Sequence, residues 1–377
     1  MISNHKIQTA LDEIKEISKV ELALYDRGGR LVASTFVPEP AAEPAVSVFA
    51  DSMAESQVLS GYHFFKVIVD GETEYVLLTG SQTEDTYMVG RLATCQIRNL
   101  MTVYREQFDR NNFMQNILLG NMLVVDMYNK AQKLHIETVE RVVFVIDLGN
   151  KKDSTAMELV KNLFMTRTGD FITEVDERAV ILIKDSSDME TEGDLEAMAR
   201  MIVDNLQAEL MVRVRVGYGN RVSRLQDIAR SYQEAKTAIE VGRIFYEERE
   251  TVSYRCLGIG RLIYQLPASL CEMFIHEVFG EEVPDVFNDE NNTTIQKFFE
   301  NNLNISETAR QLYIHRNTLV YRLERLEKAI GLDIRRFDDA MKFKIAMMVL
   351  CHMQYMKSSN ALAEHGKGEY DGEASSL

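Results

Sequence analysis

The stretch Asn304–Ile330, NISETARQLYIHRNTLVYRLERLEKAI, decides how this chain is read. Ser306, Glu307 and Thr308 open a helix of about two turns, and Ala309 and Leu312 give it a core-facing side. The small Ala309 lets a second helix cross closely, and Ile314 is an apolar plug in the turn. Leu319, Leu323, Leu326 and Ile330 then recur at spacings of four, three and four, which is one face of a second helix. On a helical wheel Asn317 and Tyr321 lie opposite that stripe, and Thr318, Arg322 and Arg325 line one flank. Gly331 is the expected stop.

Two helices around a tight turn place the first turn of the second helix against base edges of duplex DNA when they work as a helix-turn-helix. That turn holds Arg316, Asn317 and Thr318, with His315 just before it. Arginine bonds guanine bidentately and asparagine does the same to adenine. Arg322 and Arg325, further along, suit phosphates. The expected DNA-binding set is therefore His315, Arg316, Asn317, Thr318, Tyr321, Arg322 and Arg325. The competing reading is an ordinary amphipathic helix with solvated arginines. The short preceding helix, the apolar plug and the polar readers crowded at the helix start weigh against it. One departure stands out, because a turn of this kind often carries Gly where this chain has Tyr313.

The segment from Leu312 to Val349, LYIHRNTLVYRLERLEKAIGLDIRRFDDAMKFKIAMMV, resembles the C-terminal DNA-binding domain of the sugar-diacid regulator (CdaR) and purine-catabolism regulator (PucR) family of bacterial transcription factors. The block Tyr313 to Leu319, then Tyr321-Arg322-Leu323, then Gly331-Leu332-Asp333 carries the likeness. Phe113 to Leu134 and Leu257 to Pro267 are also similar to that family, so the resemblance spans about Phe113 to Met353. It implies a transcriptional regulator answering to a small effector, with a degenerate nucleotide-cyclase (GGDEF-like) middle domain.

Composition agrees with a multidomain globular chain. There are 377 residues, 46% of them hydrophobic, and five prolines. The net charge of −16 argues against general coating of nucleic acid. From Asn301 to Ile345, however, nine Lys+Arg face six Asp+Glu, a local +3. A mildly basic module on an acidic body suits a site-specific binder. Cys95, Cys256, Cys271 and Cys351 are scattered, and the seven histidines are dispersed, so neither a disulfide framework nor a metal site is expected. The apolar run near Ile117–Val125 contains Gly120 and Asn121 and is too short to span a bilayer. No basic start followed by an apolar core is present, so a cytoplasmic location is expected.

Residues 1–85 read as a small α/β sensor, PAS-like or GAF-like. Leu11, Ile14 and Ile17 have helical spacing, and Val20, Leu22 and Leu24 alternate as a strand. Asp26 to Arg30 and Asp70-Gly71-Glu72 are hairpin turns, and Pro38, Pro40 and Pro44 mark a loop. Lys66, Arg27 and Arg30 are generic candidates for meeting a carboxylate effector, and no pocket is assigned. Residues 86–135 predict a helical linker whose imperfect heptad fits either intramolecular packing or pairing with a second copy.

Residues 136–255 predict strand, helix, strand, strand, helix, strand, helix. A working cyclase of the resembled kind needs a Gly-Gly-Asp/Glu-Glu-Phe hairpin, where glycines admit the nucleotide and carboxylates hold Mg²⁺. Here the turn reads Val175-Asp176-Glu177-Arg178-Ala179, without glycine and with Arg178 at the key carboxylate position. Asp147 could match one metal-binding carboxylate, but a solvated strand-end Asp is the plainer expectation. Gly217-Tyr218-Gly219 reads as a strand-ending turn rather than a phosphate loop.

The expected architecture is thus α+β multidomain. A sensor at 1–85 is followed by a linker at 86–135, a degenerate GGDEF-like domain at 136–255 and a connector at 256–290. An all-α helix-turn-helix domain at 291–356 and a disordered tail at 357–377 complete it. The expected function is a sequence-specific DNA-binding transcriptional regulator with no catalytic residues, no cofactor and no metal. It is expected to act as a homodimer, with double-stranded DNA and a small effector (a sugar diacid or related carboxylate) as partners and no membrane contact. One alternative is a cyclic-dinucleotide-related enzyme or nucleotide-binding signalling protein built on the middle domain. Another is a scaffold that uses the C-terminal fold for protein contacts.

Overall fold

A computed structural model describes the chain except for residues 1–3, 41, 81–83, 150–153, 165–168, 177–178, 285–287 and 371–377. The chain forms two compact units, one of residues 1–116 with 125–136 and the other of residues 117–124 with 137–377. Among the described residues no helix is long and apolar enough to cross a membrane.

The first unit begins with α1 (Asn4–Ser18), then β1 (Leu22–Asp26), β2 (Leu31–Ser34), α2 (Ala42–Ala50), β3 (Ser56–Leu59), β4 (Tyr62–Val69) and β5 (Glu72–Thr79). The strands make one antiparallel sheet in the order β2-β1-β5-β4-β3. The two hairpins form where the Gly-containing turns predict them. The alternation in β1 predicts one buried face, yet both are covered. Leu22 and Leu24 pack with Ile7 and Leu11 of α1, and Ala23 and Tyr25 pack with Val46 and Phe49 of α2. The missed element is α2, which occupies the stretch expected as a Pro-marked loop. Pro44 is its third residue, in the first turn, where an amide has no intrahelical acceptor to lose.

The 35-residue α3 (Glu84–Leu118) and α4 (Val124–Lys133) follow. The first half of α3 is more than a linker. Ala93, Ile97 and Met101, four residues apart, join the core on the α1 side of the sheet. That core therefore extends past residue 85, the expected end of the sensor.

The second unit contains β6 (Arg141–Asp147), α5 (Ser154–Phe164), β7 (Phe171–Asp176), β8 (Ala179–Asp185), α6 (Glu192–Leu210), β9 (Arg215–Tyr218), α7 (Ile228–Phe245) and β10 (Thr251–Ser253). The expected element order holds, with β10 added. Sheet order is β10-β9-β6-β8-β7, with β10 parallel to β9 and the other pairings antiparallel. Every residue of the central β6 is buried, as its unbroken apolar run predicts. Gly219 ends its strand against a helix, since a Cβ there would lie 2.1 Å from the Ser231 carbonyl of α7. The expected turn around Glu177-Arg178 lies outside the described residues.

After this sheet come α8 (Ile259–Tyr264), α9 (Ala268–Phe279), α10 (Asp289–Glu300), α11 (Ile305–Gln311), α12 (Arg316–Ile330) and α13 (Phe337–Tyr370). The last helix continues past Met356, the expected end of the domain, into the stretch expected as a disordered tail. Ala361, Leu362, Ala363 and Glu364 are good helix formers and no proline intervenes.

One interaction in the sheet could not be read from the sequence. Lys184 Nζ lies 2.9 Å from Asp170 Oδ1, and both side chains are only 2% exposed. Asp170 Oδ1 also accepts from the Asp185 amide at 2.9 Å. Removing one partner of a buried pair strands the other charge, at a cost of about 3–5 kcal/mol. Lys184→Met should therefore lower unfolding free energy in urea by about that much. The double variant Lys184→Met/Asp170→Leu should recover most of the loss, and equal instability of the two would show that the pair itself stabilises.

Candidate nucleic-acid interface

Local capping sets the two short helices of the C-terminal domain. The Asn304 side chain accepts from the amides of Ser306 and Glu307 at 3.0 and 3.2 Å and so starts α11. Its end is closed by Ile314 N–H donating to the Ala309 carbonyl at 3.0 Å, with Ile314 packed on the domain core. This arrangement needs a left-handed residue between them. Tyr313 fills that position at φ 54°, and its side chain is 96% exposed. The glycine that the sequence lacks is thus replaced by a tyrosine in a glycine conformation. A left-handed non-glycine residue costs about 1–2 kcal/mol, less the greater chain entropy that glycine loses on folding. Tyr313→Gly should therefore raise stability in urea by about 0.5–1 kcal/mol, and Tyr313→Ala should not. Equal effects of the two would refute the backbone origin of the strain.

The second helix, α12, presents two faces. Leu319, Leu323, Leu326 and Ile330 are buried with Phe298 of α10, Ala309 of α11 and Phe343 of α13. Arg316, Asn317, Thr318, Tyr321 and Arg325 are exposed on the other side. Arg316 Nη1 approaches Ser306 Oγ at 3.4 Å, the far end of a hydrogen bond. Arg325 forms no ion pair or hydrogen bond among the described residues. The arrangement is a polar helix start backed by a rigid apolar core, which is chemically suited to hydrogen bonding with base edges and phosphates.

Two of the expected residues are employed otherwise. Arg322 is turned onto α10, where Nη2 pairs with Glu290 Oε1 at 2.5 Å and Nη1 donates to Thr294 Oγ1 at 3.3 Å. Only 24% of its side chain is exposed, so the expected phosphate contact is replaced by an intradomain ion pair. The flank of α12 that carries it faces a neighbouring helix, which wheel geometry alone does not reveal. His315 is the N-cap of α12, with Nδ1 accepting from the Asn317 amide at 3.2 Å. That nitrogen, the acceptor in the cap, is not available to a base. The signal for the cap was its place one residue before Arg316, although histidine is not among the usual capping residues.

Where α12 ends, Gly331 takes φ 80° and donates to the Glu327 carbonyl at 2.8 Å. Beyond it Arg335 bonds Asp333 Oδ1 and Glu327 Oε2, both at 2.6 Å, and ties the approach of α13 to α12. The Arg335 hydrogen bond, outweighing burial, holds the Asp333 carboxyl below its usual 3.8. A depressed folded value gives stability that is complete above the ordinary carboxylate range and lost as pH falls through the folded value. Wild type should therefore exceed Asp333→Asn in thermal midpoint at neutral pH. The gap should close below pH 3.8, and a gap constant down to pH 2 would contradict the pairing.

Comparison with known proteins assigns these domains. Residues 293–349 match the PucR C-terminal helix-turn-helix domain, and residues 122–241 match the GGDEF-like domain. The chain is 25% identical to the carbohydrate diacid regulator of Escherichia coli (strain K12) over 64% of this chain and 65% of that protein. It is 26% identical to the purine catabolism regulatory protein of Bacillus subtilis (strain 168) over 38% of this chain and 27% of that one. The proline-responsive transcriptional activator PutR of Bacillus subtilis (strain 168) is 26% identical over 36% of this chain and 34% of its own length. The chain is similar to CdaR/PucR-type regulators. It spans just under two thirds of the diacid regulator and about a quarter of the purine regulator.

The GGDEF-like domain departs from a metal site. Asp147, expected as a solvated strand-end carboxylate, is 7% exposed and paired through Oδ2 with Arg243 Nη2 at 2.5 Å. Its Oδ1 accepts from the Gly149 amide at 3.1 Å. Burial alone would lower the Arg243 guanidinium, but the Asp147 hydrogen bond and the charges of Asp147 and Glu240 outweigh it and raise it. A carboxylate held by a fixed cation is a poor Mg²⁺ ligand. Among the described residues no group of three or more His, Cys, Asp or Glu is placed to hold a metal. These residues do not fit the metals of a working cyclase.

Proposed function

We propose that this chain is a sequence-specific DNA-binding transcriptional regulator that responds to a small metabolite. The exposed first turn of α12 carries the reading. Arg316, Asn317 and Thr318 project from a helix whose opposite face is locked in the core, and Tyr321 and Arg325 continue the same surface. In this reading Asn317 and Arg316 read base edges, Arg325 meets phosphate, and Arg322 and His315 hold the domain in shape. The relatives, regulators with the same C-terminal domain, support the general role.

The N-terminal sheet unit is the candidate sensor. Two of the relatives, a carbohydrate diacid regulator and a proline-responsive activator, favour a small carboxylate as effector. Of the three generic cations, Lys66 donates to the Ser52 carbonyl and packs 5.4 Å from the Phe49 ring, and Arg27 pairs with Asp51 at 3.0 Å. Arg30 lines an open depression with Gly28, Gly29, Glu43 and Ser47, and it is the candidate that could meet an acid there. Met88 and Leu92, each 65% exposed on α3, and Val103 at 51% support pairing with a second copy. A DNA-reading role places the protein in the cytoplasm. The occupied Asp147 favours a non-catalytic middle domain, which product analysis after incubation with GTP and Mg²⁺ checks directly.

The decisive measurement uses a duplex enriched from a random pool by the wild-type chain, compared with an unselected duplex in gel-shift titrations. Asn317→Ala should reduce discrimination between the two by about 1–3 kcal/mol. Arg325→Ala should weaken binding to both and reduce the salt slope by about one. Arg322→Ala should lower thermal stability and leave the salt slope unchanged. Failure to enrich any duplex, or equal loss on both duplexes for Asn317→Ala, would refute base reading by this face.

A further inference from the structure

The helix α13 belongs to two packing units at once. Near its start Phe343 lies in the core that buries the leucine face of α12. Within the next two turns Ala346 and Val349 pack with Ile263, Cys271 and Ile275 of the connector, and Phe245 of α7 joins that cluster. Further on, the His352 ring lies 5.7 Å from the Tyr264 ring. Tyr355 then reaches the middle domain, where its hydroxyl donates to Glu240 Oε2 on α7. About 18 Å of continuous helix therefore joins the core behind the reading face to the GGDEF-like domain.

Glu240 is also the next link toward Asp147. Its Oε1 lies 3.5 Å from Arg243 Nη1, and the same guanidinium pairs through Nη2 with Asp147 Oδ2 at 2.5 Å. The side chains thus run Asp147, Arg243, Glu240, Tyr355, from the end of the central strand to the last helix. The carboxylate that resembles a cyclase metal ligand is the inner end of this chain of contacts. Two of its links, Arg243 and Tyr355, fall beyond the segments that match the two domain families, 122–241 and 293–349.

We propose that Asp147, Arg243, Glu240 and Tyr355 form a relay through which the middle domain holds α13 and so positions the DNA-reading helix. The two-pronged Arg243 makes the relay directional. Loss of Asp147 releases one side of the guanidinium and lets it shift toward Glu240, which weakens acceptance of the Tyr355 hydroxyl. The four groups are partly or wholly shielded from water, where charge-assisted bonds couple more strongly than at an open surface. Glu240 and Tyr355 are positioning residues in this scheme, and neither touches DNA. The inference extends the regulator reading to the route of control.

Hydrogen exchange on the full-length chain tests the relay without any DNA. Tyr355→Phe removes one oxygen, Asp147→Asn removes the distant charge, and Glu240→Gln enters the relay midway. Each should speed exchange of the α13 amides around 346–356 by about threefold. The double variant Asp147→Asn/Tyr355→Phe should be no faster than the faster single, the mark of a shared route. Effects that multiply in the double variant, or an Asp147→Asn effect confined to β6 and α7, would overturn the relay. If Asp147→Asn fails to fold, Glu240→Gln combined with Tyr355→Phe takes its place: no gain over the faster single supports the shared route, and multiplied rates overturn it. Gel shifts on the enriched duplex then read the consequence. A relay that holds by exchange, with no duplex enriched, would sink the DNA-binding reading alone. A confirmed DNA reader whose exchange effects multiply would sink the relay alone.

Discussion

Burial of one apolar stripe governs the C-terminal domain. Leu319, Leu323, Leu326 and Ile330 lie at 0%, 1%, 2% and 5% exposure, packed against three other helices. Each such side chain is worth about 1.5–3 kcal/mol against exposure. Rotating α12 by one residue would expose part of that stripe at a cost comparable to a large share of a domain's net stability. The orientation of Arg316, Asn317 and Thr318 is therefore a consequence of core packing and needs no specific contact of its own. The His315 cap adds a fixed start to the helix, so its first turn is defined both around and along the axis.

Periodic apolar residues made much of this architecture legible. The second helix of the DNA-reading pair, the buried central strand and the element order of the middle domain all follow from spacings of three, four or two. The features that sequence reasoning missed depend on partners distant in the chain. Ala23 and Tyr25 looked like an outer face because the helix that covers them, Ala42–Ala50, was hidden by Pro44. Arg322 reads as a phosphate contact because Glu290 is 32 residues away in the chain. Lys184 and Asp170 are 14 residues apart, and only the hairpin register brings them together. The three-residue Thr251–Ser253 is too short for any period to register. At Tyr313 the departure was visible as a missing glycine, but only the backbone shows that the left-handed turn persists without it.

Electrostatics separates structural from available cations in the C-terminal domain. Arg310 is bonded to Glu307 on its own helix, Arg322 to Glu290 and Arg335 to Asp333 and Glu327. Of the arginines on α12, this leaves Arg316 weakly held and Arg325 unpaired among the described residues. Of the three arginines of α12, two therefore remain for a phosphate backbone. Non-specific attraction scales with the number of phosphates neutralised. Under the proposed function, a domain so arranged gains little from random DNA and draws its affinity from base-edge contacts of Asn317 and Arg316.

The final helix changes what the domain boundary means. Composition marks a break near Asn288–Asn292, and the matched helix-turn-helix segment begins at 293. Packing does not respect that break, since α13 returns across the connector and reaches Glu240 of the GGDEF-like domain. An α-helix resists bending over a few turns, so a displacement of Tyr355 is felt at Phe343 unless the helix itself yields. Phe343 is buried among the residues that set α12. The middle domain can thus influence the reading face without touching it, by altering how firmly one end of a shared helix is held. The Asp147 carboxylate, neutralised by Arg243, is thereby linked through Glu240 and Tyr355 to the helix that carries Phe343.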